Sequence, residues 1–85
     1  MTADKAKVTR MLKTARGQMD GILKMIDDNR YCIDISNQIM ACQAILSRVN
    51  KEVLHAHLAN CVLSGNGEQS KEKLDEIAKI LDQLL

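Results

Sequence analysis

The sequence has 85 residues, of which 46% are hydrophobic and one is aromatic, and its formal net charge is +1. The near absence of aromatic residues argues against a β-sandwich or barrel, and a chain with no proline and four glycines has few residues that interrupt a helix. No stretch reaches the roughly 20 apolar residues of a membrane span and no signal-peptide core is visible, so we expect one cytoplasmic domain over residues 1–85 with no membrane partner.

The first predicted helix runs from about Asp4 to Asp28, where apolar residues recur at steps of three and four. Gly17 and Gly21 lie four residues apart on it and leave room for another helix to approach. Residues 1–31 hold seven basic and four acidic side chains, which makes this segment the most positive part of the chain. The charge indicates either an anion-binding surface or a solvated helix face.

The second predicted helix runs from about Tyr31 to Leu63 and would be near 50 Å long. A heptad-like apolar seam follows it, and a second apolar stripe lies beside the seam. One short partner helix cannot cover both, so we expect self-association. The seam comprises Ile35, Ile39, Cys42, Leu46, Val49, Val53 and Ala56, and the second stripe comprises Ile45, Leu54, Leu58 and Cys61.

The one strong loop signal, SGNG at residues 64–67, separates the second helix from a third. The third predicted helix runs from about Gln69 to Leu85, and residues 65–85 hold three basic and five acidic side chains. The predicted fold class is therefore all-α, with a subunit of two long helices and one short helix that forms an oligomer.

His57 and Cys61 lie four residues apart on the second helix and share a face, which suits them to hold one metal ion. The pair alone is weak evidence, because such spacing also arises by chance. Cys32 lies 29 residues before Cys61, or about 43 Å along a helix, so the two thiols of one chain cannot meet. If two copies pack antiparallel and cross near Leu46, Cys32 of one lies opposite the His57–Cys61 turn of the other. The apolar seam and the candidate site thus predict the same dimer.

Two thiolates and one imidazole form a soft ligand set that suits Cu(I), or Zn(II) if a fourth ligand joins. Without a metal, Cys32 and Cys61 could instead form an intersubunit disulfide or polysulfide. Cys42 lies on the seam, where we expect a small buried apolar side chain. His55 lies about 200° around the helix from His57 and is expected to face elsewhere.

The chain resembles the copper-sensitive operon repressor (CsoR/RcnR) family along nearly its whole length, and three stretches carry the resemblance. They are RGQMDGILKMI at residues 16–26, DNRYCIDISNQI at 28–39, and HLANC at 57–61 followed by SGNGEQ. The resemblance implies a bacterial transcriptional repressor with three-helix subunits, which form an antiparallel dimer and then a flat homotetramer. The effector-free oligomer would bind double-stranded operator DNA and release it when the effector binds.

The resemblance also implies the effector site. In the copper-sensing branch, Cu(I) lies between subunits on the positions of Cys32 from one chain and His57 and Cys61 from its partner. A second branch keeps the two cysteines and senses persulfides by crosslinking them across the dimer. Nickel and cobalt sensors use a histidine near the N-terminus, whereas this chain has only His55 and His57. We predict a Cu(I)-responsive repressor, with a persulfide-sensing repressor as the alternative.

For DNA contact, the resemblance points to Lys13, Arg16, Gln18 and Arg48. The family often has arginine six residues before Gly17, where this chain has Met11 with Arg10 beside it, so Arg10 joins the predicted contacts. Lysine and arginine would neutralise phosphates, which predicts an affinity that falls with salt. Few groups are available to read base edges, so specificity would depend on DNA shape.

Two departures from the family concern the residues that would couple effector binding to DNA release, rather than the metal ligands themselves. The segment from Cys61 to Gly65 is about one helical turn shorter than in copper sensors, so the second helix should end early. Copper sensors link an acidic residue of the third helix with Tyr31 and the metal-bound histidine, but Lys73 stands at that position. Glu72 or Glu76 would have to substitute for it.

Two other classes of protein make different predictions. A helical adaptor protein that does not act on DNA would show no salt-dependent DNA affinity. An enzyme is not expected, because the sequence shows no evident acid–base pair and a helical chain of 85 residues offers little enclosure.

Overall fold

A computed structural model of the chain describes the backbone of residues 1–64 and 67–84 and the side chains of residues 1–60 and 71–83. The described part contains three α-helices, which are α1 (Lys5–Asp27), α2 (Cys32–Ser64) and α3 (Gly67–Leu84). Every bound lies within two residues of the sequence prediction, and the all-α fold class is confirmed. No helix among these residues is long and apolar enough to cross a membrane.

The ends of α1 are fixed by polar residues. The Asp4 carboxylate accepts hydrogen bonds from the backbone N–H groups of Ala6 (3.0 Å) and Lys7 (3.2 Å), as expected of a helix N-cap. After Asp27 the chain passes through Asn29, whose φ of 53° lies in the left-handed region that asparagine tolerates. The N–H of Arg30 then donates back into the last turn of α1, which closes the helix and turns the chain toward α2.

The helices α1 and α2 form an antiparallel hairpin around a small apolar core. Ala15 is 1% exposed and Cys42 is 5% exposed, and the Cys42 thiol donates to the Ala15 carbonyl oxygen at 3.8 Å. The prediction that Cys42 is a small buried side chain is confirmed. Since alanine and cysteine occupy little volume, the two helices approach closely at this point.

Replacing Ala15 with leucine is therefore expected to lower the free energy of unfolding by about 1–3 kcal/mol, because the larger side chain has no space between the helices. Ala41→Leu is the matched control, since Ala41 is exposed on α2 and should change stability little. Chemical denaturation followed by circular dichroism measures both. Equal stability of the two variants would contradict the close approach.

The protomer is a single layer of helices with α2 in the middle. Its extents are 55 × 26 × 12 Å, and its radius of gyration of 16.9 Å exceeds the roughly 12 Å of a compact chain of this length. Cys42 and Val49 of α2 pack toward α1, while Leu54 lies on the other side of α2 near Ile77 of α3. A layer one helix thick leaves two broad faces open.

Many large apolar side chains consequently remain exposed. The predicted seam of α2 is divided, because Cys42 and Val49 are buried against α1, whereas Ile39 is 43% exposed and Leu46 is 38% exposed. This distribution is consistent with the expected self-association, since single protomers rarely expose so much apolar surface without a partner. The exposed side chains include Leu12, Met19, Leu23, Ile26, Ile33, Ile39, Met40 and Leu46.

Candidate metal centre and nucleic-acid interface

One uncharged stripe runs along α2. At 100° per residue, the positions of its members fall within a sector of about 60°, between the sides that pack on α1 and on α3. We call it the effector stripe. It comprises Cys32, Ile39, Gln43, Leu46, Asn50, His57 and Cys61.

The centre of the effector stripe borders an apolar groove. Met19 and Leu23 of α1 line the groove together with Ile39 and Leu46 of α2, and its volume is about 370 Å³. Cys42 forms part of the floor. A surface of this composition favours a second apolar helix as its partner.

The three predicted metal ligands lie at the two ends of the effector stripe. Cys32 is the first residue of α2 and its thiol is free and exposed, whereas His57 is half-buried. The two lie about 37 Å apart along the helix axis, so one protomer does not bring them together. The backbone of Cys61 lies in α2 one turn after His57, but its side chain is outside the described residues. Among the described side chains, no three from His, Cys, Asp and Glu are grouped so that they could hold a metal ion.

The side chains predicted to couple metal binding to DNA release are far apart within one protomer. Tyr31 is 68% exposed and directly precedes α2. Glu72 and Glu76 are exposed on α3, as is Lys73, and α3 packs near the other end of α2. A link between Tyr31 and an acidic residue of α3 therefore stays a prediction that would require the partner subunit.

The predicted DNA contacts occupy two regions. Arg10, Lys13 and Arg16 are exposed along α1, and Lys13 and Arg16 border a shallow pocket. Arg48 lies on α2, on the opposite face of the layer from the effector stripe. Gln18 differs from these, because it is half-buried and its side-chain oxygen has no hydrogen-bond partner among the described residues.

The structure also groups cationic side chains that the sequence interpretation missed. Arg48 shares a cleft of about 370 Å³ with Lys7 of α1 and with Lys51 and His55 of α2, and we call it the basic cleft. Its remaining lining residues are Met11 and Glu52. His55 faces away from the effector stripe, as predicted. The spacing of residues 48, 51, 52 and 55, which is that of one helix face, could have indicated the α2 side of the cleft.

Transcriptional repressors of one family match nearly the whole of this chain. The family of metal-sensitive transcriptional repressors matches residues 4–83. The copper-sensing transcriptional repressor CsoR of Mycobacterium tuberculosis is 40% identical over 88 residues, which cover 99% of this chain and 74% of that protein. The CsoR of Bacillus subtilis is 39% identical over 80 residues, covering 89% of this chain and 79% of that protein.

Two solved structures share the fold. The nickel-responsive transcriptional regulator InrS superposes with a TM-score of 0.80 at 26% sequence identity, covering 100% of this chain and 97% of that one. The copper-sensing repressor CsoR with Cu(I) from Geobacillus thermodenitrificans superposes with a TM-score of 0.74 at 38% identity, covering 98% of this chain and 91% of that one.

The three-helix layer and these similarities over nearly the whole of this chain define the class of the protein as an all-helical transcriptional repressor. The proteins it resembles are regulators and not enzymes. The chain belongs to the metal-sensitive transcriptional repressor family, also known as the CsoR/RcnR family.

Proposed function

We propose that residues 1–85 form one sensor and DNA-binding domain, which represses transcription as an oligomer and releases its operator when Cu(I) binds between subunits. The observation that carries the proposal is the effector stripe, on which Cys32 and His57, two of the three proposed ligands, lie toward opposite ends of one continuous helix. Relatives at 40% identity are copper-sensing repressors, which supports copper as the effector.

The stripe favours an antiparallel pair of α2 helices. If the helices cross near Leu46, Cys32 lies opposite the His57–Cys61 turn of the partner subunit, and two equivalent sites form. No charged side chain falls in the stripe between its two ends, so two stripes can face each other without burying a charge. The apolar groove lies at the centre of this pairing, where burial contributes most to association.

The donor atoms, rather than the fold, select the metal. InrS is nickel-responsive and has a similar backbone, so the fold alone does not distinguish nickel from copper. Two cysteine sulfurs and one imidazole form a soft donor set, which Cu(I) prefers. Both thiols must lose a proton to act as ligands. The exposure of Cys32 makes its thiol accessible for this step.

Release from DNA follows from the continuity of α2. The ligands and Arg48 lie on the same helix but on opposite faces of the layer. Bound Cu(I) would supply bonds that join the start of one α2 to the end of the other. Any change in the angle between the two helices then alters how the basic residues of the two subunits are placed on a duplex. A coupling free energy of about 1–3 kcal/mol is sufficient for such a response.

A second candidate effector is a low-molecular-weight persulfide. It is favoured by the exposed free thiol of Cys32 and by Lys73, which stands where copper sensors carry the acidic residue of α3. In this reaction, Cys32 takes one sulfur from RSSH and releases RSH. Attack by Cys61 of the partner subunit then forms an intersubunit disulfide and releases H₂S. If both cysteines carry an extra sulfur, the products are a trisulfide and H₂S.

A competition experiment tests the proposal against this alternative. The chain is bound to a labelled duplex carrying the promoter of its own gene and is titrated without oxygen with Cu(I) or with glutathione persulfide. We expect Cu(I) to release the duplex at about one equivalent per chain, with no crosslinked dimer in the mass spectrum. Release by persulfide alone, with a crosslinked dimer, would support the second candidate. A wild-type chain without salt-dependent DNA affinity would contradict the repressor function itself.

A further inference from the structure

The basic cleft contains one carboxylate among its lining residues, and that carboxylate is engaged. Glu52 pairs with Lys7 across the α1–α2 hairpin, with 3.1 Å between Lys7 Nζ and Glu52 Oε1. The two side chains are 48% and 37% exposed, so the ion pair lies at the surface of the cleft rather than in the core. Surface pairs of this kind are weak and open readily.

We propose that Glu52 masks Lys7 and thereby holds the affinity of the basic cleft for the DNA phosphate backbone below the affinity that its cations alone would give. The inference rests on the proposed repressor function and adds an affinity-setting residue to it. The ammonium of Lys7 is a compact point charge that suits a phosphate oxygen as well as a carboxylate oxygen. Glu52 and a phosphate therefore compete for the same group.

Three features of the cleft point to the phosphate backbone as its ligand. Lys7, Arg48 and Lys51 outnumber the single Glu52, so the cleft remains positive even with the ion pair formed. The cleft also lies on the face opposite the effector stripe and stays open when two stripes pair. Arg48, which was predicted to contact DNA, belongs to it, so the cleft is continuous with the expected interface.

The test compares the 85-residue chain with its Glu52→Gln variant, in which the competing charge is removed and the shape of the side chain is kept. We expect Glu52→Gln to bind the promoter duplex about two- to fivefold more tightly than wild type. The dependence of log K on log salt should steepen by roughly 0.9 for each cleft that contacts the duplex, because a freed lysine displaces one more counterion. Fluorescence anisotropy at several salt concentrations gives both quantities.

Three further variants separate masking from a general change in charge. Asp75→Asn removes the same charge from an exposed position on α3 and should leave affinity and slope unchanged. Lys7→Gln leaves Glu52 unpaired and should weaken binding. The double variant Lys7→Gln/Glu52→Gln removes a pair with no net charge and should bind like wild type.

The outcomes are distinguishable. If Glu52→Gln binds no more tightly than wild type or no more tightly than Asp75→Asn, the masking role is wrong while the repressor function stands. If wild type itself shows no salt-dependent affinity for DNA, the repressor function and the ligand of the cleft are both wrong. Circular dichroism of each variant establishes that the helices are intact.

Discussion

Replacing Cys32 with alanine is expected to abolish release of DNA by Cu(I) while leaving the affinity for the promoter duplex within about twofold of wild type. Cys32 is exposed at the start of α2, on the opposite face of the layer from Arg48, so its side chain supports neither the core nor the DNA contacts. Its loss would remove one of the three proposed metal ligands and with it the coupling between metal binding and DNA binding. Anisotropy titrations with and without Cu(I) measure both effects.

Cys42→Ala is the matched control for this experiment. Cys42 is buried against Ala15 and lies outside the effector stripe, so this variant should still be released by Cu(I). Release of Cys32→Ala by Cu(I) at wild-type concentrations would show that the assignment of the metal site is wrong.

Mixing two inactive variants tests whether the site is shared between subunits. A dimer of one Cys32→Ala chain and one Cys61→Ala chain retains a complete set of three ligands at one of its two sites, whereas each variant alone retains none. Random exchange produces such mixed dimers in about half of the population, so the mixture should recover part of the response. A mixture that stays unresponsive would indicate that the ligands come from one chain.

Replacing Leu46 with glutamate is expected to disrupt the oligomer and to weaken DNA binding by roughly 100-fold or more. Leu46 lines the apolar groove at the centre of the effector stripe. In the antiparallel pair, the two copies of residue 46 face each other, so the substitution would bury two like charges without partners. Sedimentation velocity measures the oligomeric state, and anisotropy measures the DNA affinity.

Ala44→Glu provides the comparison, since Ala44 is exposed on the opposite side of the same helix. It adds the same charge and should leave the oligomer intact. Because Ala44 lies one turn before Arg48, this variant is the control for the oligomeric state and not for DNA affinity. If Leu46→Glu forms the same oligomer as Ala44→Glu, the groove is not the interface between subunits.

The bounds of the helices could be predicted from the sequence because local signals set them. Asp4 caps α1 and Asn29 ends it, and both signals lie within a few residues of the structure they determine. The neighbours of each apolar side chain could not be predicted in the same way. Periodicity gives the angle of a residue around its helix, but it does not show that α1 buries Cys42 and leaves Leu46 exposed. Only the packing of α1 decides that difference.

The candidate metal site was accessible from sequence because helix length and spacing alone place Cys32 and His57 at opposite ends of α2. The basic cleft was not, because Lys7 and Glu52 are 45 residues apart and meet only through the register of the α1–α2 hairpin. The rotation of α3, which leaves Glu72 and Glu76 exposed, likewise depends on tertiary packing at Ile77.

Because the protomer is thin, the fraction of chains able to bind DNA should depend on the protein concentration. A layer of helices 12 Å deep has little interior, and few of the described side chains, such as Ala15 and Ile77, are fully shielded from water. In the proposed oligomer, folding and association are linked by mass action, and dilution destabilises each chain as well as separating the copies. On dilution, the concentration of oligomer able to bind DNA therefore falls more steeply than the total protein concentration. Unpaired chains are the form most open to proteolysis.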